Sequence, residues 1–186
     1  MKTFLITSVM VLLLVLASII WYCNWHAWYK NTLEPTPYYS GEFPEELTDI
    51  KYYDITQAEM RLLIEKEILS MYIYKVDDAK QYVWSEATSN WFIRTVWMRS
   101  DYDSVYDYGC ALAHELIHIK HITVNEAWVE FETFKVLYNS EYKILHDLGK
   151  YCGLKILNLR YNDDYDTIGW QYDVSGHVIK YLEELS

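Results

Sequence analysis

Two histidines and a glutamate near the middle of the chain have the spacing that metal-assisted hydrolysis requires. His114, Glu115 and His118 form a His-Glu-x-x-His motif within the apolar, Gly- and Pro-free stretch 111–119. Positions four residues apart share one face of an α-helix, so both imidazoles can bind one Zn²⁺. Glu115 lies beside them and can take a proton from a zinc-activated water. The motif therefore predicts a metal-binding helix with Glu115 as a general base.

The motif and its uncharged surroundings resemble the zincin metallopeptidases. Residues 125–130, Asn-Glu-Ala-Trp-Val-Glu, are similar to the gluzincin pattern, in which a second helix supplies a glutamate ligand. In that pattern an acid four residues later supports a ligand histidine. The resemblance implies a zinc metalloendopeptidase with metal ligands His114, His118 and Glu126 and with Glu130 as their supporting acid.

Other residues compete with Glu126 for the role of third ligand. Glu130 would take it if the second helix began later. His121 shares the face of His114 and His118, but on one straight helix it lies too far along the axis to complete a tetrahedron. The extended motif of the metzincin subgroup is excluded, because it needs Gly at 121 and His at 124, where this chain has His121 and Val124.

His146, His177 or a tyrosine could stabilise an oxyanion.

The elements around the motif predict an α+β fold. Thr56 and Glu59 form a capping box before a helical pattern that ends near residue 72, and helices are expected from about 104 to 120 and from 125 to 139. The aromatic and β-branched runs 82–84 and 91–98, joined by 87–90, predict a hairpin. The resemblance implies a mainly helical zincin-like domain with a small antiparallel sheet before the motif helix. It also implies that 91–98 pairs with a substrate; an ordinary buried hairpin is the alternative.

An uncharged apolar run near the amino terminus predicts a membrane anchor. Residues 4–22 approach the roughly 20 residues that span a bilayer, and Trp21, Tyr22 and Trp25 suit an interfacial belt. We expect a retained single-pass transmembrane helix with the catalytic domain on the extracytoplasmic side; a cleaved signal peptide is the alternative. The predicted division is an anchor over 1–30, a Pro-containing linker over 31–49 and a zincin-like domain over 50–186.

Composition narrows the class of partner. The formal net charge is −11 and the lysines and arginines form no basic cluster, which argues against nucleic-acid binding. The expected partners are a protein or peptide substrate and, through the N-terminal helix, a membrane. The alternative to an enzyme is a catalytically inactive, membrane-anchored domain that binds zinc or another protein.

Three cysteines are too few for a disulfide framework. Cys23 lies beside the predicted anchor, which leaves Cys110 and Cys152. We expect two free buried thiols, with a Cys110–Cys152 disulfide as the first alternative and zinc ligation by Cys110 as the second.

Overall fold

The chain folds into several helices and a small sheet. The computed structural model describes residues 2–29, 33, 36, 39, 41–68, 75–78, 87–90, 93–99, 101–123, 125–158 and 174–186. Within these residues the helices are α1 (Lys2–Tyr29), α2 (Glu45–Thr48), α3 (Gln57–Ile68), α4 (Val105–His121), α5 (Glu126–Tyr138), α6 (Lys143–Asn158) and α7 (Val174–Leu185). The strands are β1 (Lys75–Asp78), β2 (Ala87–Asn90) and β3 (Thr95–Met98).

Side-chain caps determine where the central helices begin. The predicted capping box is confirmed: Glu59 accepts the Thr56 N–H at 2.9 Å, and Thr56 Oγ1 accepts the Glu59 N–H at 3.2 Å. Ser104 Oγ accepts the Asp107 N–H at 3.0 Å, so α4 starts at the next residue, Val105. These bonds satisfy amide groups that the first turn of a helix leaves without a partner.

Helix α4 lies at the centre of the core. Its fully buried residues Leu112, Ala113, Leu116 and Ile117 pack in one cluster with side chains of α3, α5, α6, β2 and β3. Burying an aliphatic side chain of this size stabilises a fold by about 1.5–3 kcal/mol. A second cluster, built around Phe134, joins α2, α5, α6 and α7. The helix that carries the motif is therefore held on several sides, and its register against α5 is well defined.

The close packing of α5 on α6 depends on a glycine. A Cβ atom at Gly149 would lie 2.4 Å from the Tyr138 backbone nitrogen, a distance that no side chain could tolerate. Helix α6 nevertheless continues without a break past Gly149 and Gly153. Gly149 thus allows a close approach of two backbones, whereas a Cβ atom at Gly153 would meet the side chains of Phe134 at 3.1 Å and Leu47 at 3.2 Å.

The three-stranded sheet differs from the predicted one. Its order is β1–β3–β2; β1 pairs with β3 in parallel, and β2 pairs with β3 antiparallel. Residues 87–90, predicted as the connection of a hairpin, form strand β2 itself, and the predicted run 82–84 lies outside the described residues. Because both edges of β3 are hydrogen-bonded to neighbours, this strand has no free edge for a substrate backbone. The predicted role of 91–98 in pairing with a substrate is therefore wrong for its strand residues, 95–98.

The predicted fold class is wrong in its sheet and in its transmembrane helix. The described structure is mostly helical, and its small sheet is mixed, not antiparallel. Among the described residues, none of the helices has the length and apolar character needed to cross a membrane. The predicted transmembrane helix and single-pass membrane localisation are thus corrected.

A disulfide joins the motif helix to α6. The sulfur atoms of Cys110 and Cys152 are bonded at 2.03 Å, while Cys23 is free and exposed. The expectation of two free buried thiols is therefore wrong, and zinc ligation by Cys110 is excluded in this state. The bond forms because the packing of α4 against α6 brings the two Cα atoms to 6.0 Å.

We expect the Cys110→Ser/Cys152→Ser double variant to be markedly less stable than the wild type. The bridge closes a loop with a sequence separation of 42, and such a loop contributes about 4 kcal/mol by restricting the unfolded chain. A melting temperature lower by roughly 10 °C should result. Cys23→Ser is the matched control and should melt as the wild type does. Three reactive thiols per unfolded, unreduced wild-type chain, instead of one, would contradict the bridge.

Candidate metal centre

Three donor atoms from α4 and α5 converge at the motif. His114 Nε2 lies 2.9 Å from Glu126 Oε2, His118 Nε2 lies 3.2 Å from the same oxygen, and the two Nε2 atoms are 3.0 Å apart. The ligand atoms of all three residues lie within 4.8 Å of one another, and they are the one group of this kind among the described residues. The structure thus brings together the three residues predicted as metal ligands.

The corner between α4 and α5 places Glu126 opposite the histidines. Helix α4 ends at His121, and its C-cap residue Ile122 has the left-handed backbone conformation (φ 50°) and donates its N–H to the His118 carbonyl. This reversal allows the next helix to begin at Glu126, after Asn125 has capped it by accepting the Trp128 N–H at 3.1 Å. A separation of only eight positions between His118 and Glu126 therefore suffices for both to reach one point.

The same corner orients His118. Its Nδ1 donates to the Thr123 carbonyl oxygen at 2.8 Å, since a carbonyl can only accept. Nδ1 therefore carries a proton, and Nε2 faces His114 and Glu126, where its lone pair can bind a metal ion once it carries no proton. A ligand histidine held through its other ring nitrogen in this way is a common feature of metal sites. Thr123 is 1 % exposed, so water does not compete for the bond.

Ile122 has an unfavourable backbone conformation for its residue type. Left-handed φ values cost an L-residue roughly 1–2 kcal/mol, and a β-branched side chain is especially rare there. On either side of Ile122, the His121 ring packs edge-on against the Trp128 ring at 5.0 Å, and Trp128 in turn packs against the core. These contacts join the end of α4 to the start of α5 across the corner.

The donor set fits a zinc ion. Two imidazole nitrogens and one carboxylate oxygen are ligands that zinc accepts in catalytic sites. Bonds of about 2.0–2.1 Å in a tetrahedron separate neighbouring ligand atoms by roughly 3.3 Å, close to the 2.9–3.2 Å between these three atoms. Only small side-chain shifts would be needed to admit the ion.

The charges around His114 favour its protonated form when no metal is bound. Burial lowers the pKa of this imidazole, but the hydrogen bond to Glu126 and the charges of Glu115, Glu126 and Glu130 outweigh it and raise the pKa to about 9. Burial likewise raises the pKa of Glu126, yet the hydrogen bonds and charges of His114 and His118 bring it well below its usual range. The carboxylates around His114 thus stabilise a positive charge, whether a proton on the imidazole or a metal ion carries it.

Glu115 is close enough to His114 for its charge to act on it, and it has no hydrogen-bond or ion-pair partner among the described residues. The residue is only 8 % exposed, and its charge acts on the neighbouring His114. Within the described part of the chain, its carboxylate takes part in no hydrogen bond or ion pair. A largely desolvated carboxylate of this kind is available to accept a proton from a bound reactant.

The remaining candidates lie outside the three-donor cluster. Glu130 is one turn after Glu126 and contributes charge to His114, whereas the His121 ring contacts Trp128. The two histidines considered for the oxyanion are engaged elsewhere: His146 Nδ1 donates to the Tyr138 carbonyl, and the His177 ring packs on Phe131 at 5.5 Å. The sequence did not predict that the Thr123 carbonyl orients His118 or that Ile122 ends α4. Residue types do not reveal which backbone carbonyl accepts a bond, and isoleucine is not a residue that is expected at a left-handed C-cap.

Comparisons with protein-family models, with curated proteins and with solved structures find no match to this chain. The resemblance to zincins therefore rests on the motif and on residues 125–130.

The protonated His114–Glu126 pair should make the metal-free protein pH-sensitive. A folded pKa of about 9 against 6.5 when unfolded means that His114 adds stability that is complete below pH 6.5 and lost as the pH rises through 9. In the presence of a chelator, the difference in melting temperature between wild type and His114→Gln should therefore shrink between pH 6.5 and 9. Glu126→Gln should also reduce this dependence. An unchanged difference across that range would contradict the ion pair.

Proposed function

We propose that this protein is a zinc-dependent peptidase. The observation that carries the proposal is the convergence of His114, His118 and Glu126 beside a buried carboxylate, Glu115, that has no bonding partner among the described residues. Metal ligands alone would suit many roles. A hydrolytic site also needs a neighbouring base that can accept a proton. The choice of a peptide bond as substrate comes from the resemblance to zincins.

Each residue has a distinct task in the proposed reaction. His114, His118 and Glu126 would hold the ion, and the Thr123 carbonyl holds the His118 ring in the required tautomer. When bound, zinc supplies Lewis acidity that lowers the pKa of water and polarises a carbonyl group. Glu115 accepts the proton that the attacking water loses and later returns it to the leaving amine. The burial of Glu115 strengthens these electrostatic effects, because little water screens them.

The contacts of the other candidate ligands favour a catalytic site over a structural one. Structural zinc sites are usually closed by four protein ligands, whereas catalytic sites keep one position for water or substrate. Here Cys110 is tied to Cys152, and the His121 ring packs on Trp128. Among the described residues, three donors therefore converge without a fourth.

Glu115→Gln should separate catalysis from metal binding. The amide keeps the size of the side chain but cannot accept a proton, so we expect casein hydrolysis to fall by about 10²–10⁴-fold while zinc content stays at one ion per chain. Zinc by elemental analysis and proteolysis by release of labelled casein fragments measure the two effects. Wild type that holds zinc but hydrolyses no protein or peptide would point to a zinc-binding module. Unchanged hydrolysis by the variant would remove Glu115 from the mechanism.

Glu126→Ala tests the third ligand. We expect its zinc affinity to fall by more than about 100-fold, a larger loss than that caused by removing a residue that only supports a ligand. Glu132→Gln is the matched control, because this residue lies on the same helix but pairs with Lys135 at 3.1 Å; it should bind zinc as the wild type does. Competition with a chromophoric chelator gives the affinities. If Glu126→Ala retains zinc, Glu130 becomes the next residue to test.

A further inference from the structure

Thr123 is a buried polar residue in the corner between α4 and α5, and its polar groups bond in two directions. Its N–H donates to the His118 carbonyl at 3.4 Å, and its carbonyl accepts from the His118 ring at 2.8 Å. Its hydroxyl oxygen, Oγ1, accepts the Asn125 N–H at 3.3 Å. Thr123 is therefore bonded to one predicted ligand on one side and to the residue before Glu126 on the other.

Asn125 continues this set of bonds into the first turn of α5. Its side-chain oxygen accepts the Trp128 N–H at 3.1 Å, and its carbonyl accepts the Val129 N–H at 3.0 Å. The backbone of an N-cap residue determines where its helix begins. Because the Thr123 hydroxyl holds the backbone of Asn125, it also determines where the first residue of α5, Glu126, lies.

Glu126 depends on this backbone more than the other two donors do. Its side chain is 60 % exposed, against 21 % for His114 and 9 % for His118. Both histidines stand on α4, which the core holds along most of its length. A ligand that packing does not hold takes its position from the backbone beneath it. A small shift of the first turn of α5 would therefore move the Glu126 carboxylate away from the histidine nitrogens.

From these observations we propose that Thr123 is a positioning residue, whose hydroxyl sets the place of Glu126 against His118 and thereby raises the affinity of the centre for zinc. The hydroxyl acts through Asn125 and is not one of the three converging donors. This inference rests on the ligand set of the proposed peptidase. A valine would fill the same space and keep the backbone carbonyl that orients His118, but it offers the Asn125 N–H no acceptor.

The test compares the zinc affinities of full-length variants by competition with a chromophoric chelator. Thr123→Val should bind zinc about tenfold more weakly than the wild type, and Thr123→Ser, which restores an acceptor oxygen, should recover most of this loss. Loss of a merely structural hydroxyl would lower the melting temperature and leave the zinc affinity of the folded protein unchanged. Wild-type affinity in Thr123→Val, or an equal loss in Thr123→Ser, would overturn the role of the hydroxyl.

Thr133→Val is the matched control for the loss of a buried hydroxyl. Thr133 is 3 % exposed and lies on α5, but its hydroxyl has no hydrogen-bond partner among the described residues. The same exchange of a hydroxyl for a methyl group should therefore leave the zinc affinity unchanged. A similar loss of affinity in both valine variants would overturn the specific role of Thr123.

A measurement on the wild type tests the same coupling without a substitution. If the bond to Asn125 raises the zinc affinity, zinc must strengthen that bond by the same factor. Hydrogen exchange of the Asn125 amide should therefore slow by about tenfold when zinc is added. The Asp107 amide, which bonds to Ser104 at the far end of α4 at 3.0 Å, should slow less. Equal slowing of the two amides would overturn the inference.

The zinc and proteolysis measurements separate this inference from the proposed function. Wild type that shows the Thr123 effect on zinc affinity but hydrolyses no peptide would overturn the peptidase function and leave the positioning role standing. Wild type that binds no zinc would overturn both.

Discussion

The hydrogen bond from His118 Nδ1 to the Thr123 carbonyl is the constraint on which the arrangement of the candidate centre depends. It joins a side chain near the end of α4 to the backbone of the following corner. The corner must turn sharply for this bond to form, and the same turn brings Glu126 to the first position of α5. One local geometry therefore orients the His118 ring and sets the position of Glu126.

The hydrophobic core gives this corner its rigidity. Helix α4 is buried along most of its length, and α5 and α6 approach each other closely at Gly149. Since the two helices that carry the donors are held by packing at some distance from the centre, the polar groups need not hold the helices together. Their charges are instead balanced within a small cluster, in which His114 is attracted by three carboxylates.

Local patterns in the sequence were enough to predict the parts of the site that depend on helix periodicity and capping. The placement of His114 and His118 on one helix and the start of the next helix near residue 125 follow from such patterns, and the structure has the corresponding helices. The mixed order of the sheet and the Cys110–Cys152 bond depend on contacts between distant segments, which residue spacing does not specify. His118 and Glu126 also reach one another over this short stretch of chain only because Ile122 adopts a conformation that its residue type disfavours.

The disulfide has a consequence for the integrity of the centre. Its two cysteines, Cys110 and Cys152, lie on either side of the segment that contains His114, His118 and Glu126, so all three donors belong to one covalent ring. A single cut in the backbone anywhere within that ring leaves both pieces joined. A molecule nicked in this segment would therefore keep its full mass under non-reducing conditions and separate into fragments only after reduction.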